Sequence, residues 1–182
     1  FEQSSGDDSV YFDNALSDFS LKNDFTIEAW IRPSTVSSYH TISSWWNANP
    51  GSNNTFRFSI FLGYLTFNLA ADGGAGNDVT TLTSTTVISK DVWTHVAITK
   101  EGDTLRLYVN GTKESQQVGS SYAGQTLNII DSTVRYNIGT LWYQNLFHIF
   151  EYAGYIDEYR HSNYARYTCL LYTSDAADDL LC

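Results

Sequence analysis

Methionine is absent from this 182-residue sequence, proline occurs twice, and the only two cysteines, Cys169 and Cys182, lie in its last fourteen residues. A pair so placed cannot staple the body of the chain, so the fold must rest on burial rather than on a disulfide framework. Basic residues are scarce too: 10 Lys and Arg stand against 20 acids, for a formal net charge of -10. None of them cluster, which argues against a nucleic-acid surface, and the acidity disfavours electrostatic adsorption to an anionic membrane. Long apolar runs are missing, so membrane insertion is not expected. The chain opens at Phe1 without a leader pattern and reads as a mature or excised domain.

What is present is aromatic and alternating. Thirteen Tyr, 10 Phe and 5 Trp suit sheet surfaces and stacking platforms alike. In "FTIEAWIRP", Phe25, Ile27, Ala29 and Ile31 form one row, while Thr26, Glu28, Trp30 and Arg32 form the other. "WTHVAITKEGDTLRLYVNGTKE" alternates in the same way, broken at Glu101-Gly102-Asp103 and at Asn110-Gly111, a pair suited to a tight hairpin turn. Phe56 to Phe61 and Tyr64 to Leu69 make a further hairpin about Leu62-Gly63. Strands are also expected at Val10 to Phe12, at His40 to Trp45, in "YNIGT" and in "YAGYIDEYR", with weaker signals at Thr85 to Ile88 and Leu127 to Ile130. "NANPGSNN", "AADGGAGND" and the aromatic "LWYQNLFHIFE" read as loops. No helix of normal length shows an apolar period, so the fold class is all-β, a two-sheet antiparallel β-sandwich.

Together "VYFDN", "DFTIEAWIRP", "WTHVAITKEGDTLRLYVNGTKE", "IGT" and "GYIDEYRHSNYARYT" resemble the laminin-G-like, or concanavalin A-like, jelly-roll domains. The Ile-Asp-Glu segment followed by "SNYARY" is similar to forms in bacterial extracellular proteins and bacteriophage tail or host-recognition proteins. The resemblance implies an extracellular or virion-associated setting. It also implies a binding module for a glycan or cell-surface polymer, often with calcium, sometimes beside other domains of a larger protein. Residues 1–168 carry this texture; 169–182, "CLLYTSDAADDLLC" from Cys169, form an atypical extension of doubtful biological origin that resembles a translated adapter remnant.

A hydrolase on this fold is the third reading, after a binding module and a structural or protein-interaction domain. It needs two facing carboxyl groups. The Glu-x-Asp-x-x-Glu string of related glucanases is missing, adjacent Asp157 and Glu158 should face opposite ways, and Glu28 is expected to hydrogen-bond neighbouring backbone or to pair with Arg32 or Arg160. The chain is therefore read as non-enzymatic. His40, His95, His148 and His161 are scattered, with no zinc-like spacing; His95 is expected to serve the sheet, and His148 and His161 to lie nearer loop surfaces.

Calcium takes hard oxygens from many sources. The family resemblance points to Asp13 near Asp157 as a structural pair, while Asp72, Asn77 and Asp78 in the glycine-rich loop are an alternative donor set. Asp18 and Asp131 are further oxygen sources. Sugar binding calls for planar rings beside amides and hydroxyls. Trp46, Asn47 and Asn49 have that character, as do Trp142, Tyr143 and Asn145, with Phe147 and Tyr152 able to extend the second surface. Trp30 and Trp93, on the most regular strands, are assigned mainly to structure. Asn53-Asn54-Thr55 and Asn110-Gly111-Thr112 fit the N-glycosylation rule, the second already explained by its turn.

Overall fold

The computed structural model describes residues 9–12, 19–46, 55–70, 79–118, 135–143 and 147–167. One sheet has six strands, in spatial order β1 (Val10–Phe12), β10 (Tyr136–Ile138), β3 (Tyr39–Trp45), β4 (Phe56–Phe61), β5 (Tyr64–Ala70) and β6 (Val79–Val87). The other has five: β13 (Gly154–Ser162), β2 (Phe25–Pro33), β7 (Thr94–Glu101), β8 (Thr104–Val109) and β9 (Thr112–Val118). All neighbours in both sheets are antiparallel. The chain lays down meanders β3 to β6 and β7 to β9 and otherwise crosses between the sheets, as a jelly-roll sandwich requires.

Strict alternation builds the core. Phe56, Phe58 and Ile60 of β4, Leu65, Phe67 and Leu69 of β5, and Phe25, Ile27 and Ile31 of β2 are fully buried in one cluster that draws on both sheets. Phe67 is its hub, with ring centroids 5.8 Å from Phe56, 6.0 Å from Phe58 and 6.3 Å from Phe25 across the sandwich. Turn chemistry fixes the register. Leu62 and Gly63 take φ of 49° and 83°, and Asn110 and Gly111 take 48° and 79°, the paired positive angles of two-residue hairpins. Gly154 has φ 135°, and a Cβ there would sit 2.2 Å from the Arg32 carbonyl oxygen. Only glycine lets β13 start so close to β2.

Two segments differ from the sequence reading. "LWYQNLFHIFE" holds a hairpin, β11 (Leu141–Tyr143) on β12 (Phe147–Ile149), because its two short runs supply each other's ladder although neither is long enough to announce a strand alone. The weak signal at Thr85 to Ile88 belongs to the nine-residue β6, whose β-branched threonines favour a pleated surface while few apolar side chains mark an inner face. The segment from Leu127 to Ile130 lies outside the described residues.

A carboxylate ties the two sheets at their margins. Glu114 on β9 accepts hydrogen bonds from the backbone N–H and hydroxyl of Thr85 (2.9 and 2.7 Å) and from those of Thr86 (2.8 Å each) on β6. Burial raises the Glu114 carboxyl, and these four donors outweigh it, holding the group below its ordinary value.

Phe67→Ala should remove about 3–5 kcal/mol of unfolding free energy, the range for emptying a buried phenylalanine site. Urea unfolding is the check: the midpoint should fall at unchanged slope, whereas a loss below 1 kcal/mol would show that Phe67 is not the hub.

Candidate functional site

The alternation that turns one face of the six-stranded sheet to the core sets the side chains of the other in three rows, of which Thr41, Ser44, Ser59, Thr66 and Asn137 are themselves buried. Tyr39, Phe61 and Tyr64 are directly opposite one another across β3, β4 and β5. Thr41, Ser59, Thr66 and Thr83 form the next row. The third runs through all six strands: Tyr11, Asn137, Ser44, Arg57, Asn68 and Thr81. An aromatic row therefore borders a hydroxyl row, with an amide-bearing row beyond it. Over part of this face lies a cleft of about 380 Å³ lined by Tyr39, Phe61, Leu62, Tyr64, Thr66, Asn68, Thr81 and Thr83.

Packing holds these groups in place. Tyr39 stacks on Phe61 at 4.0 Å and 20°, and its ring lies 4.5 Å from the Arg57 guanidinium carbon. Trp46 approaches the same guanidinium at 6.0 Å. Arg57 donates to Asn68 Oδ1 from Nη2 (3.2 Å) and Nε (3.4 Å), and Asn68 Nδ2 donates to Thr81 Oγ1 at 2.8 Å. Ser59 and Thr66 hydroxyls bond at 2.9 Å. Burial pulls the guanidinium down from its ordinary value, Tyr39 opposes this, and the group stays charged at neutral pH.

Of the expected sugar-contacting residues, Trp46 lies half-buried beside Arg57, while its neighbour Trp45 is fully buried in the core. Trp142 and Tyr143 are placed on β11 by their backbone. Asn47, Asn49 and Asn145 lie outside the described residues. Tyr152 does not extend a surface: it is fully buried in the core, its amide bonded to the Gly139 carbonyl at 2.7 Å. Trp93 departs the other way. It precedes β7, is 43% exposed and sits 6.3 Å from the Tyr155 ring, because the strand begins only at Thr94. Tyr39, Phe61, Tyr64, Asn68 and Thr81 were not singled out from sequence, although the outward phase of "FRFSIFLGYLTFNLA" carries three of the five, Phe61, Tyr64 and Asn68.

The chain belongs to the concanavalin A-like lectin/glucanases superfamily, in its laminin-G form; the family pattern matches residues 4–168. Among curated protein sequences, none matches it. Solved structures share the fold at low identity. The sialidase module CBM40 of Ruminococcus gnavus bound to α2,3-sialyllactose superposes with a TM-score of 0.63 at 16% identity, covering 79% of this chain and 77% of that one. The botulinum neurotoxin serotype D ligand-binding domain in complex with N-acetylneuraminic acid gives 0.56 at 15%, covering 86% of this chain and 37% of that one. The heptameric SAP-like pentraxin of Limulus polyphemus gives 0.55 at 17%, covering 79% and 65%. The chain thus spans little more than a third of the neurotoxin domain's length.

Glu28 and His95 are committed to structure. Glu28, on the outer face of the five-stranded sheet, is 4% exposed; it accepts from Tyr167 Oη at 2.7 Å and lies 3.5 Å from His95 Nε2, 3.4 Å from Arg160 and 3.2 Å from Arg166. Arg160 is thus the expected partner, whereas Arg32 donates to the Asp91 carbonyl. Burial raises the Glu28 carboxyl; His95, Tyr167 and Arg166 outweigh it and hold it below its ordinary value. None of the described residues that line the cleft is an acid. Asp157 is exposed and accepts from the Glu158 amide at 2.8 Å, and no group of three His, Cys, Asp or Glu fit to hold an ion occurs among the described residues. Asp13, Asp18, Asp72, Asn77, Asp78 and Asp131 lie outside them.

His161 is not on a loop surface. A bulge between Asp157 and Arg160, with Glu158 at φ 49°, shifts the pairing so that Tyr159 packs against the core. There its hydroxyl meets that of Tyr136, which also bonds His161 Nδ1 at 3.1 Å. Burial pushes His161 down from 6.5 to about 4 and Tyr159 up to about 12. The folded state favours a neutral ring, so this stabilisation is complete above pH 6.5 and is lost as pH falls toward about 4. Unfolding free energy should drop by about 2 kcal/mol between pH 7.5 and 5, with most of that slope absent in His161→Gln. Equal slopes in urea titrations of the two proteins would refute the assignment.

Proposed function

We propose that this domain is a non-catalytic glycan-binding module that holds its ligand in the cleft on the outer face of the six-stranded sheet. The observation that carries the reading is the juxtaposition of Tyr39, Phe61 and Tyr64 with a floor of Thr66, Asn68, Thr81 and Thr83. Sugars present apolar C–H faces and hydroxyl edges together, and a row of rings against a row of hydroxyls and amides meets both. The same fold carries sugar ligands in two of its structural neighbours, which supports the reading and an extracellular or surface-associated setting. On an oligosaccharide array, the wild type should retain a subset of glycans, and Tyr64→Ala should lower affinity at least about tenfold at an unchanged thermal midpoint. Binding that survives both Tyr64→Ala and Phe61→Ala would remove the cleft from the proposal.

A protein-interaction role is the second reading, favoured by exposed Val92 (51%), Trp93 (43%) and Tyr155 (61%) at one end of the opposite sheet. Calcium is part of the proposal in a structural role, with Asp13 and Asp157 as the first donors to test and Asp72, Asn77 and Asp78 as the alternative set. Thermal unfolding at fixed ionic strength should give a higher midpoint in added calcium than in EDTA. Coincident curves, with no metal found by elemental analysis, would end the calcium proposal and leave the cleft untouched.

A further inference from the structure

The hydrogen bonds under the cleft have a direction. A guanidinium has donors and no acceptor. The Asn68 amide must therefore turn its oxygen to Arg57, at 3.2 and 3.4 Å, and its nitrogen to Thr81, at 2.8 Å. Thr81 Oγ1 accepts from that nitrogen, and its own proton is left to donate outward from an exposed side chain on the cleft wall. In the adjoining row, Thr66 donates to the Ser59 carbonyl at 3.2 Å, so the Ser59 hydroxyl donates to Thr66. The internal bonds consume those two protons. The wall formed by β6 is thus a donor edge set by a positive charge two bonds behind it.

Arg106 pairs with Glu101, and Arg160 and Arg166 share Glu28. Half-buried Arg57 touches the rings of Tyr39 and Trp46 and the Asn68 amide, and has no carboxylate partner among the described residues. In a chain of net charge -10, a cation kept beside a cleft with no counter-ion among the described residues is a local inversion of sign.

Resting on the glycan reading, we propose that the cleft selects an acidic sugar: its carboxylate or sulfate accepts from the Thr81 hydroxyl and balances Arg57, while its ring lies on Phe61 and Tyr64. A neutral sugar could occupy the rings but would leave the charge unanswered.

The test measures affinity by calorimetry for three galactan oligosaccharides of equal length: neutral, uronate-bearing and sulfated. At low ionic strength, at least one acidic form should bind about tenfold or more tightly than the neutral one, and the advantage should shrink as salt rises. Asn68→Asp, which sets a carboxylate against Arg57, and Thr81→Val, which removes the donor, should each abolish the acidic preference, so that the ratio of acidic to neutral affinity falls to about one. The uronate and sulfate arms identify which anion is taken. Equal affinity for neutral and acidic forms, or a preference that survives both substitutions, overturns this inference and leaves the glycan reading intact. Binding of no oligosaccharide, here and on the array, overturns both.

Discussion

The two-residue period of β4 and β5 decides what each side of the molecule can be. Phe56, Phe58 and Ile60, opposite Leu69, Phe67 and Leu65, must face the other sheet because their burial holds the sandwich together. The intervening positions then have no choice. Arg57, Ser59 and Phe61, opposite Asn68, Thr66 and Tyr64, share the other face as a set, in a register that the Leu62-Gly63 turn pins at its tip. A slip of one residue would exchange the two sets, burying Arg57 and exposing the phenylalanines, so the stability of the core and the composition of the cleft are one constraint.

The sheets differ in what covers their outer faces. On the five-stranded sheet the chain folds back after β13. Arg166 N–H donates to the Thr26 hydroxyl, which in turn donates to the Tyr164 carbonyl, each at 2.9 Å, while Tyr167 reaches Glu28. Buried charge there is matched by opposite charge, at short range, within the same chain. Over the cleft of the six-stranded sheet, the polar groups bond mainly along their own rows and leave rings and hydroxyls at the surface. Composition hides this asymmetry, since both faces contain aromatics, arginine and threonine.

Much of the sandwich was legible because its signals are local. Alternation in "FTIEAWIRP", the Asn110-Gly111 turn and the hairpin about Leu62-Gly63 each depend on neighbours a few positions away, and each matches the observed strands. The Glu28–Arg160 pair was legible for a different reason: a lone acid on a regular strand must find a cation, and few were on offer. The cleft was less so. Its rows join residues from β3, β4, β5 and β6, and only the cross-strand register brings Tyr39 beside Phe61 or Asn68 beside Thr81. Weight placed on paired tryptophans favoured loops over that register. His161 and Tyr152 were misjudged because their burial depends on the bulge of β13 and on the closure of the chain after β12, and neither leaves a mark on nearby sequence.

The Glu114 carboxylate carries one more consequence. β6 is the outermost strand of its sheet among the described residues, and such an edge is where a strand from another molecule could add by backbone hydrogen bonding. By engaging the amides of Thr85 and Thr86, Glu114 takes two rungs that such a newcomer would need. The acid that clasps the sheets together therefore also occupies part of the edge along which the sheet could otherwise be extended.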